Sequence, residues 1–430
     1  MTRRVTRGFV VARRAVFTLA AVIASAGCGG GGGDEGMTSG PVARSSEARL
    51  TDPQVPGEDL AALAAGNDAL AVDLYQTLRT TPGNMVFAPE SLSLALAMTY
   101  GGAAGNTAAQ MAATMHFALP AERLHPAFDA LDLALNAPAT APAAFRLTVA
   151  NAVWAQQGFA VLPSFLDLLA RYYGAGVRLA DFRGASETSR QVINQWVSDQ
   201  TAGKLPELLM AGAINSLTKM VLTNAIYFKA DWQTPFAPQS PTGTFNAPAG
   251  PVSVPMMTGP AEVPVWTGTG YTAARLPYAG GTTSLVVIVP DAGTFDAFEA
   301  ALTADELQAV LASAVAATSQ GVSLPRFAVG QHFSVRTALM ALGMNDAFST
   351  GTADFSGIDG DRDLFIQDVV HQANVAVDEQ GTEAAAATAV IIGRKGVVQT
   401  LRVDRPFLFL IRDDASGATL FMGRVLDPSQ

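Results

Sequence analysis

The chain has 430 residues, 49% hydrophobic and only 15% charged, with a formal net charge of −10 and one cysteine, Cys28. An acidic surface of this kind repels nucleic acid and anionic lipid headgroups, and a lone cysteine excludes an intramolecular disulfide. The length is ample for a large core and by itself would suggest two domains.

At the N-terminus, Arg3, Arg4, Arg7, Arg13 and Arg14 precede a short apolar run, Ala15 to Ala26. That run is too short to span a bilayer and reads as a signal peptide over residues 1–27. Ser25, Ala26 and Gly27 ahead of Cys28 resemble a bacterial lipobox, in which the cysteine is lipidated and becomes the new N-terminus; a non-lipidated secretory signal is the alternative. Losing the five leader arginines takes the formal charge to −15, so the lipid anchor, not charge, would hold the protein to a membrane. Gly29 is not the aspartate associated with inner-membrane retention, which favours the outer membrane of the cell envelope, on its periplasmic or its surface face, with release outside the cell left open. Gly29 to Gly33 and the small, polar residues up to Pro56 have too little apolar content to repay the entropy of folding. Residues 28–56 are therefore expected to be a flexible tether. Residues 57–430 contain no Pro/Gly-rich linker, repeat or long charge run and read as one domain, expected to be a monomer.

The first half of that domain is dominated by helical patterns. In Leu60 to Leu78, Leu70, Leu74 and Leu78 recur at four-residue spacing; Ser91 to Tyr100 reads as a buried helix, and Phe165 to Tyr173 and Val192 to Leu209 repeat the theme. After Met220 the period shortens to strands at Val221–Phe228, Thr283–Val289, Val322–Phe327, Asn374–Val377, Phe407–Ile411 and Thr419–Val425. Segregated helices and mixed strands give an α+β class.

An enzyme would need a convergent nucleophile, base or metal-ligand set, and the histidines are only His116, His125, His332 and His371. No His-Glu-x-x-His, Gly-x-Ser-x-Gly or phosphate-cradling Gly-x4-Gly-Lys-Ser/Thr pattern is present. Asp359, Asp361 and Asp363 start like a calcium loop but lack its glycine and terminal glutamate, and read as a solvated turn. The sequence thus calls for no cofactor and no metal.

The most informative segment lies near the C-terminus. It runs Asp378-Glu379-Gln380-Gly381-Thr382-Glu383-Ala384-Ala385-Ala386-Ala387-Thr388-Ala389-Val390, then Gly393-Arg394-Lys395-Gly396, then Asp404-Arg405-Pro406-Phe407, and ends with Phe421-Met422-Gly423-Arg424-Val425. Together with Asn84 to Ser91, Asn194 to Leu205, and Thr223-Asn224-Ala225-Ile226-Tyr227-Phe228-Lys229 followed by Trp232 and Pro235-Phe236, it resembles the serpin family over nearly the whole domain. The resemblance implies helices packed around a large central mixed β-sheet, smaller sheets and an exposed reactive-centre loop. It implies a protease inhibitor and not an enzyme: a target protease cleaves the loop, which then inserts into the sheet as a new strand.

By position in the family, Glu379 at the loop's proximal base pairs with Arg326 near Trp232, in the region where the loop enters. His371, Asn194 and Ser91 match the polar cluster where the central strands part, with Ala88 standing where serine is common. Gly381, Thr382, Glu383, Ala384, Ala385, Ala386, Ala387 and Thr388 match the hinge. Counting along the family's loop spacing from Glu379 and from Pro406 puts the cleaved bond at Lys395-Gly396, with Arg394-Lys395 as the alternative. The partner implied is a serine protease with trypsin-like specificity.

The residues themselves suit insertion, which needs side chains that pass between moving strands, β-compatible backbone and no proline. Thr382 to Ile392 meets these demands, and alternation puts Thr382, Ala384, Ala386, Thr388, Val390 and Ile392 on one face. Local propensity alone would make alanine-rich Glu383 to Ala389 a surface helix; Gly381 and Gly393 bracket the run and favour the loop. Two readings remain beside trypsin-like inhibition: a serpin-fold binding or surface protein that traps nothing, and inhibition of basic-specific cysteine proteases of the clostripain or gingipain kind.

Overall fold

Burial on all sides decides the helix that matters most here. In the computed structural model, which describes residues 40–137, 145–237, 239–259, 262–382 and 400–430, α2 follows α1 (Gly57–Leu78) and spans Pro89–Tyr100 with every residue from Pro89 to Thr99 buried. Proline at its first position costs no hydrogen bond, and its near-continuous apolar sequence suits a helix under a sheet better than one at the surface. The other helices are α3 (Gly105–Thr114), α4 (Ala121–Leu135), α5 (Pro163–Tyr173), α6 (Ser186–Gln200), α7 (Phe295–Ala301), α8 (Ala304–Ala312), α9 (Arg336–Ala341) and α10 (Ser356–Asp359).

The helix expected from Val192 to Leu209 stops at Gln200 as α6. Ala202 and Gly203 take positive φ values of 53° and 76°, and the Thr201 hydroxyl caps Val197 O at 2.8 Å. The chain then doubles back, with Asn194 Oδ1 accepting from Leu208 N and Leu209 N. Spacing alone reads straight through such a reversal because buried apolar residues stand on both sides of it, Ile193, Trp196 and Val197 before and Leu205, Leu208 and Leu209 after.

The strands in chain order are β1 (Val42–Ala43), β2 (Met85–Phe87), β3 (Phe145–Gln156), β4 (Val177–Ala180), β5 (Met220–Asp231), β6 (Thr242–Ala247), β7 (Gly250–Thr258), β8 (Val263–Gly268), β9 (Tyr271–Pro277), β10 (Thr283–Pro290), β11 (Thr318–Pro325), β12 (Phe327–Ser334), β13 (Val369–Val377), β14 (Gly381–Thr382), β15 (Thr400–Arg402), β16 (Phe407–Asp413) and β17 (Thr419–Val425). A seven-stranded mixed sheet runs β1-β4-β3-β5-β14-β13-β12. A second sheet runs β2-β17-β16-β10-β9-β8-β11-β7-β6, with β15 added on β11. Strand β11 joins the two ladders of this second sheet, pairing β8 over Thr318–Gln320 and β7 over Ser323–Pro325.

Twelve-residue β3 lies in the half where helices were expected, and it pairs with β5 over eleven positions from Phe145↔Ala230 to Ala155↔Met220. The strand expected at Val322–Phe327 is divided between β11 and β12, with Arg326 at the break. The tether expected over 28–56 is also shortened. Val42–Ala43 pairs with β4, Leu50 N donates to Arg171 O at 2.8 Å, and Arg49 is ion-paired with Asp129 and Asp132. These polar side chains are ordered by partners on α4, a source of order that apolar content does not register. Ser39–Gln430 forms the compact unit. Cys28 lies outside the described residues.

Candidate functional site

The site is a seam in the seven-stranded sheet. Strands β5 and β13 pair directly and in parallel from Leu222↔Val369 to Tyr227↔Asn374. Above that point they are separated by β14: Gly381 and Thr382 pair with Asp231 and Ala230 on one side, and Thr382 with Val377 on the other. The first two residues of the loop thus already sit where a new central strand would continue downward.

Polar groups lock the middle of the seam. His371, Asn224 and Asn151 are laterally aligned on β13, β5 and β3. Ala88 N donates to His371 Nε2 at 3.1 Å, so the neutral ring carries its proton on Nδ1 and donates it to Asn224 Oδ1. Asn224 Nδ2 donates to Ser91 Oγ at 2.7 Å and Asn151 Oδ1 at 2.6 Å, and Asn151 Nδ2 donates to Ser91 O at 3.1 Å. Burial pushes the His371 imidazole down to about 3, with the nearby His332 adding to it. Parting β5 from β13 must break the His371–Asn224 bond of this network.

Side chains at the top of the seam hold the loop's base. Asp378 to Gly381 is a tight turn in which Asp378 Oδ1 accepts from Gln380 N at 2.8 Å and Gly381 N at 3.2 Å. Trp232 Nε1 donates to Asp378 O at 2.8 Å, and Trp232 N to Gln380 O at 2.7 Å. The Trp232 ring stacks on Tyr278 with centroids 4.5 Å apart, and the Tyr278 hydroxyl meets Thr382 Oγ1 at 2.6 Å. Arg326 and Glu379 form an ion pair at 2.7 Å, the carboxylate buried and the guanidinium half-exposed. Burial drives the Glu379 carboxyl up, but hydrogen bonds from Arg326 and Ser240 outweigh it and leave the group below the usual range. A Cβ at Gly381 would collide with Ala230 O, so only glycine passes there.

The family described as Serpin (serine protease inhibitor) matches residues 65–428. This chain belongs to the serpin family. It is 36% identical over 367 residues, 84% of each chain, to an uncharacterized serpin-like protein of Thermococcus kodakarensis. It is 37% identical to the leukocyte elastase inhibitor of Homo sapiens, over 85% of this chain and 99% of the relative. Among solved structures, the thermophilic serpin tengpin in its native state superposes with a TM-score of 0.78 at 27% identity, covering 90% of this chain and 97% of that one. The family is one of protease inhibitors rather than catalysts.

In this serpin Arg326, Glu379 and Trp232 converge at the loop's base, and Ser91 and His371 meet through Asn224. Asn194 does not join them. Its amide is spent on the backbone of Leu208 and Leu209, and Asn224 is the asparagine that bridges the strands. Ala88 contributes its backbone N–H to the cluster in place of a hydroxyl. Asn224 stands in the matched segment Thr223 to Lys229 but has no role assigned from sequence, and Asn151, Tyr278 and Ser240 are not among the expected site residues. A signal for the asparagine was there: an amide in the mostly apolar run Val221 to Phe228 must find buried partners. Glu383, Ala384, Ala385, Ala386, Ala387, Thr388, Arg394, Lys395 and Gly396 lie outside the described residues.

Proposed function

We propose that this serpin is a suicide inhibitor of trypsin-like serine endopeptidases, held to the bacterial cell envelope by a lipid on Cys28. The observation that carries the reading is the position of Gly381 and Thr382, already paired at the top of the β5–β13 seam, with the small residues Ala384 to Thr388 following Glu383 in the sequence. The target's serine oxygen attacks the Lys395 carbonyl, the Lys395-Gly396 peptide bond breaks, and the Gly396 amine leaves with the C-terminal segment. The acyl-enzyme then either hydrolyses or is carried down the sheet as Thr382 onward inserts, adding main-chain hydrogen bonds to both flanking strands. Inhibition is a race between insertion and deacylation. Lys395 and Arg394 suit an acidic specificity pocket, whatever protease the relatives' names specify.

The test mixes trypsin with protein beginning at Ser39, because Arg49 and β1 belong to the compact unit. An SDS-stable adduct and a released peptide beginning at Gly396 are the expected products, and Lys395→Glu combined with Arg394→Glu should reduce the inhibition rate constant at least ~100-fold without changing thermal stability. A peptide beginning at Lys395 would move the bond to Arg394-Lys395. Complete cleavage without adduct by trypsin-like and basic-specific cysteine proteases alike would replace this reading with a binding protein that traps nothing.

A further inference from the structure

Strands β14 and β5 are antiparallel, with Gly381 opposite Asp231 and Thr382 opposite Ala230. An antiparallel ladder advances one residue on each strand per step. Once the loop inserts as proposed above, Ile392 therefore faces Met220, the first residue of β5, and Lys395 faces Leu217. The proline-free, β-compatible run from Thr382 ends at that same Ile392, so the insertable segment matches the length of its track. Gly393 to Lys395 then pass the foot of the seam, and whatever is esterified to the Lys395 carbonyl is brought to Leu217.

That end of the sheet is apolar and uncovered. Among the described residues three large hydrophobic side chains are exposed, Met210 at 51%, Leu217 at 78% and Val315 at 95%. The first two share one loop, residues 210–219, which returns from α6 to β5, and Ala211 and Gly212 between them are exposed as well. The loop is held in shape. Asn215 Oδ1 accepts from Leu217 N at 2.9 Å, Asn215 N donates to Thr218 Oγ1 at 3.0 Å, and Ile214 is buried in the core under α6. The turn thus faces Leu217 to solvent beside a leucine-sized neighbour that is buried. Lys219, two residues on, is paired with Asp363 at 2.5 Å. A single exposed leucine is ordinary; two large apolar side chains on one ordered loop, at the end of the insertion track, mark a surface that something covers.

We infer that Met210 and Leu217 form the pad on which the trapped protease comes to rest, packing against the enzyme's face around its acylated serine. The inference rests on the inhibitory reading above. A second copy of the chain or a lipid surface would also cover apolar side chains, but neither is tied to the position at which the Lys395 ester arrives. Apolar burial on the pad holds the displaced enzyme in place after insertion has ended. The pad therefore acts on how long the adduct lasts, not on whether the loop wins the race with deacylation.

The test uses the Ser39–Gln430 protein, which lacks the chain's one cysteine, Cys28, so that Leu217→Cys carries a polarity-sensitive fluorophore at a single site. Val315→Cys, between α8 and β11, is the control. With one equivalent of trypsin, the SDS-stable adduct should show emission at position 217 that rises and shifts to shorter wavelength, while position 315 stays unchanged. Leu217→Glu combined with Met210→Glu should leave the adduct's yield as it is and shorten its half-life about tenfold, less than the full worth of two buried apolar side chains. An adduct with an unchanged probe at 217 overturns the pad and leaves the inhibitory reading standing; no adduct at all removes both. A probe that responds to an annealed peptide of Thr382 to Ile392, which fills the seam without a protease, or to protein concentration alone, overturns the assignment too. So does a wild-type half-life in the double variant.

Discussion

Thr382→Arg is expected to turn this serpin from inhibitor into substrate. Thr382 is fully buried in the resting structure, flanked by Ala230 and Val377 in the sheet and hydrogen-bonded to Tyr278. Among the described residues its hydroxyl bonds to Tyr278 and no acidic side chain contacts it, so an arginine there must either stay outside or desolvate its charge, at a cost of several kcal/mol. Even ~3 kcal/mol on the barrier to insertion slows that step about 100-fold. Deacylation, which happens in the protease's own active site, keeps its rate. The partition of the acyl-enzyme then shifts to hydrolysis, and the yield of SDS-stable complex with trypsin should drop at least ~tenfold while the loop is still cleaved. Thr382→Ser, which keeps the size class and the hydroxyl for Tyr278, should retain most of the complex. A covalent adduct persisting at wild-type yield in Thr382→Arg would falsify insertion through this slot as the trapping step.

Asn224→Ala is expected to loosen the seam itself. The substitution removes the partner of His371 Nδ1 and the donors to Ser91 and Asn151 in one step, leaving buried polar groups unsatisfied at a cost of about 3 kcal/mol. Thermal unfolding should start about 5 °C lower. A synthetic peptide with the sequence of Thr382 to Ile392 should anneal between β5 and β13 faster than in the wild type. Asn194→Ala is the comparison, because it also strips a buried amide, leaving Leu208 N and Leu209 N unpaired. It should cost similar stability and leave peptide uptake unchanged; equal acceleration in both variants would mean that general destabilisation, not the seam network, controls opening. Acid acts on the same network. A folded-state value for His371 of about 3, against an ordinary 6.5, means its contribution is complete above pH 6.5 and is lost as pH falls through about 3. Wild-type Tm should therefore decline across that window, and peptide uptake should rise.

The terminal strand β17 was legible to the residue, Thr419–Val425, and β10 and β16 within two residues of their ends, because buried strands bounded by turn residues announce themselves. The loop base was legible too, through the pattern of Asp378 to Thr382 with Arg326 and Trp232. What was missed shares one cause. Strand β3, the end of α6 and the packed segment around Arg49 are all fixed by partners outside their own local pattern: β5 pairs with β3 across separations of 65 to 85 residues, Asn194 turns the chain back by holding Leu208 and Leu209, 14 and 15 residues on, and α4 holds Arg49.

The sequence by itself determined the α+β class, the family and the chemistry of the loop, because periodicity, glycine placement and a run of small residues are properties of consecutive positions. Tertiary structure alone decided which asparagine bridges the strands. Asn194 and Asn224 are equally polar and both lie in apolar surroundings, and only the lateral register of β13, β5 and β3 brings Asn224 under His371. It also decided that Glu90 would be buried with its Oε2 lacking a hydrogen-bond partner among the described residues, since a carboxyl at the start of a helix is ordinarily a solvated one that favours the helix dipole. Local patterns specify what a residue can do; hydrogen-bond partners and dielectric surroundings, which a linear chain does not carry, specify what it does here.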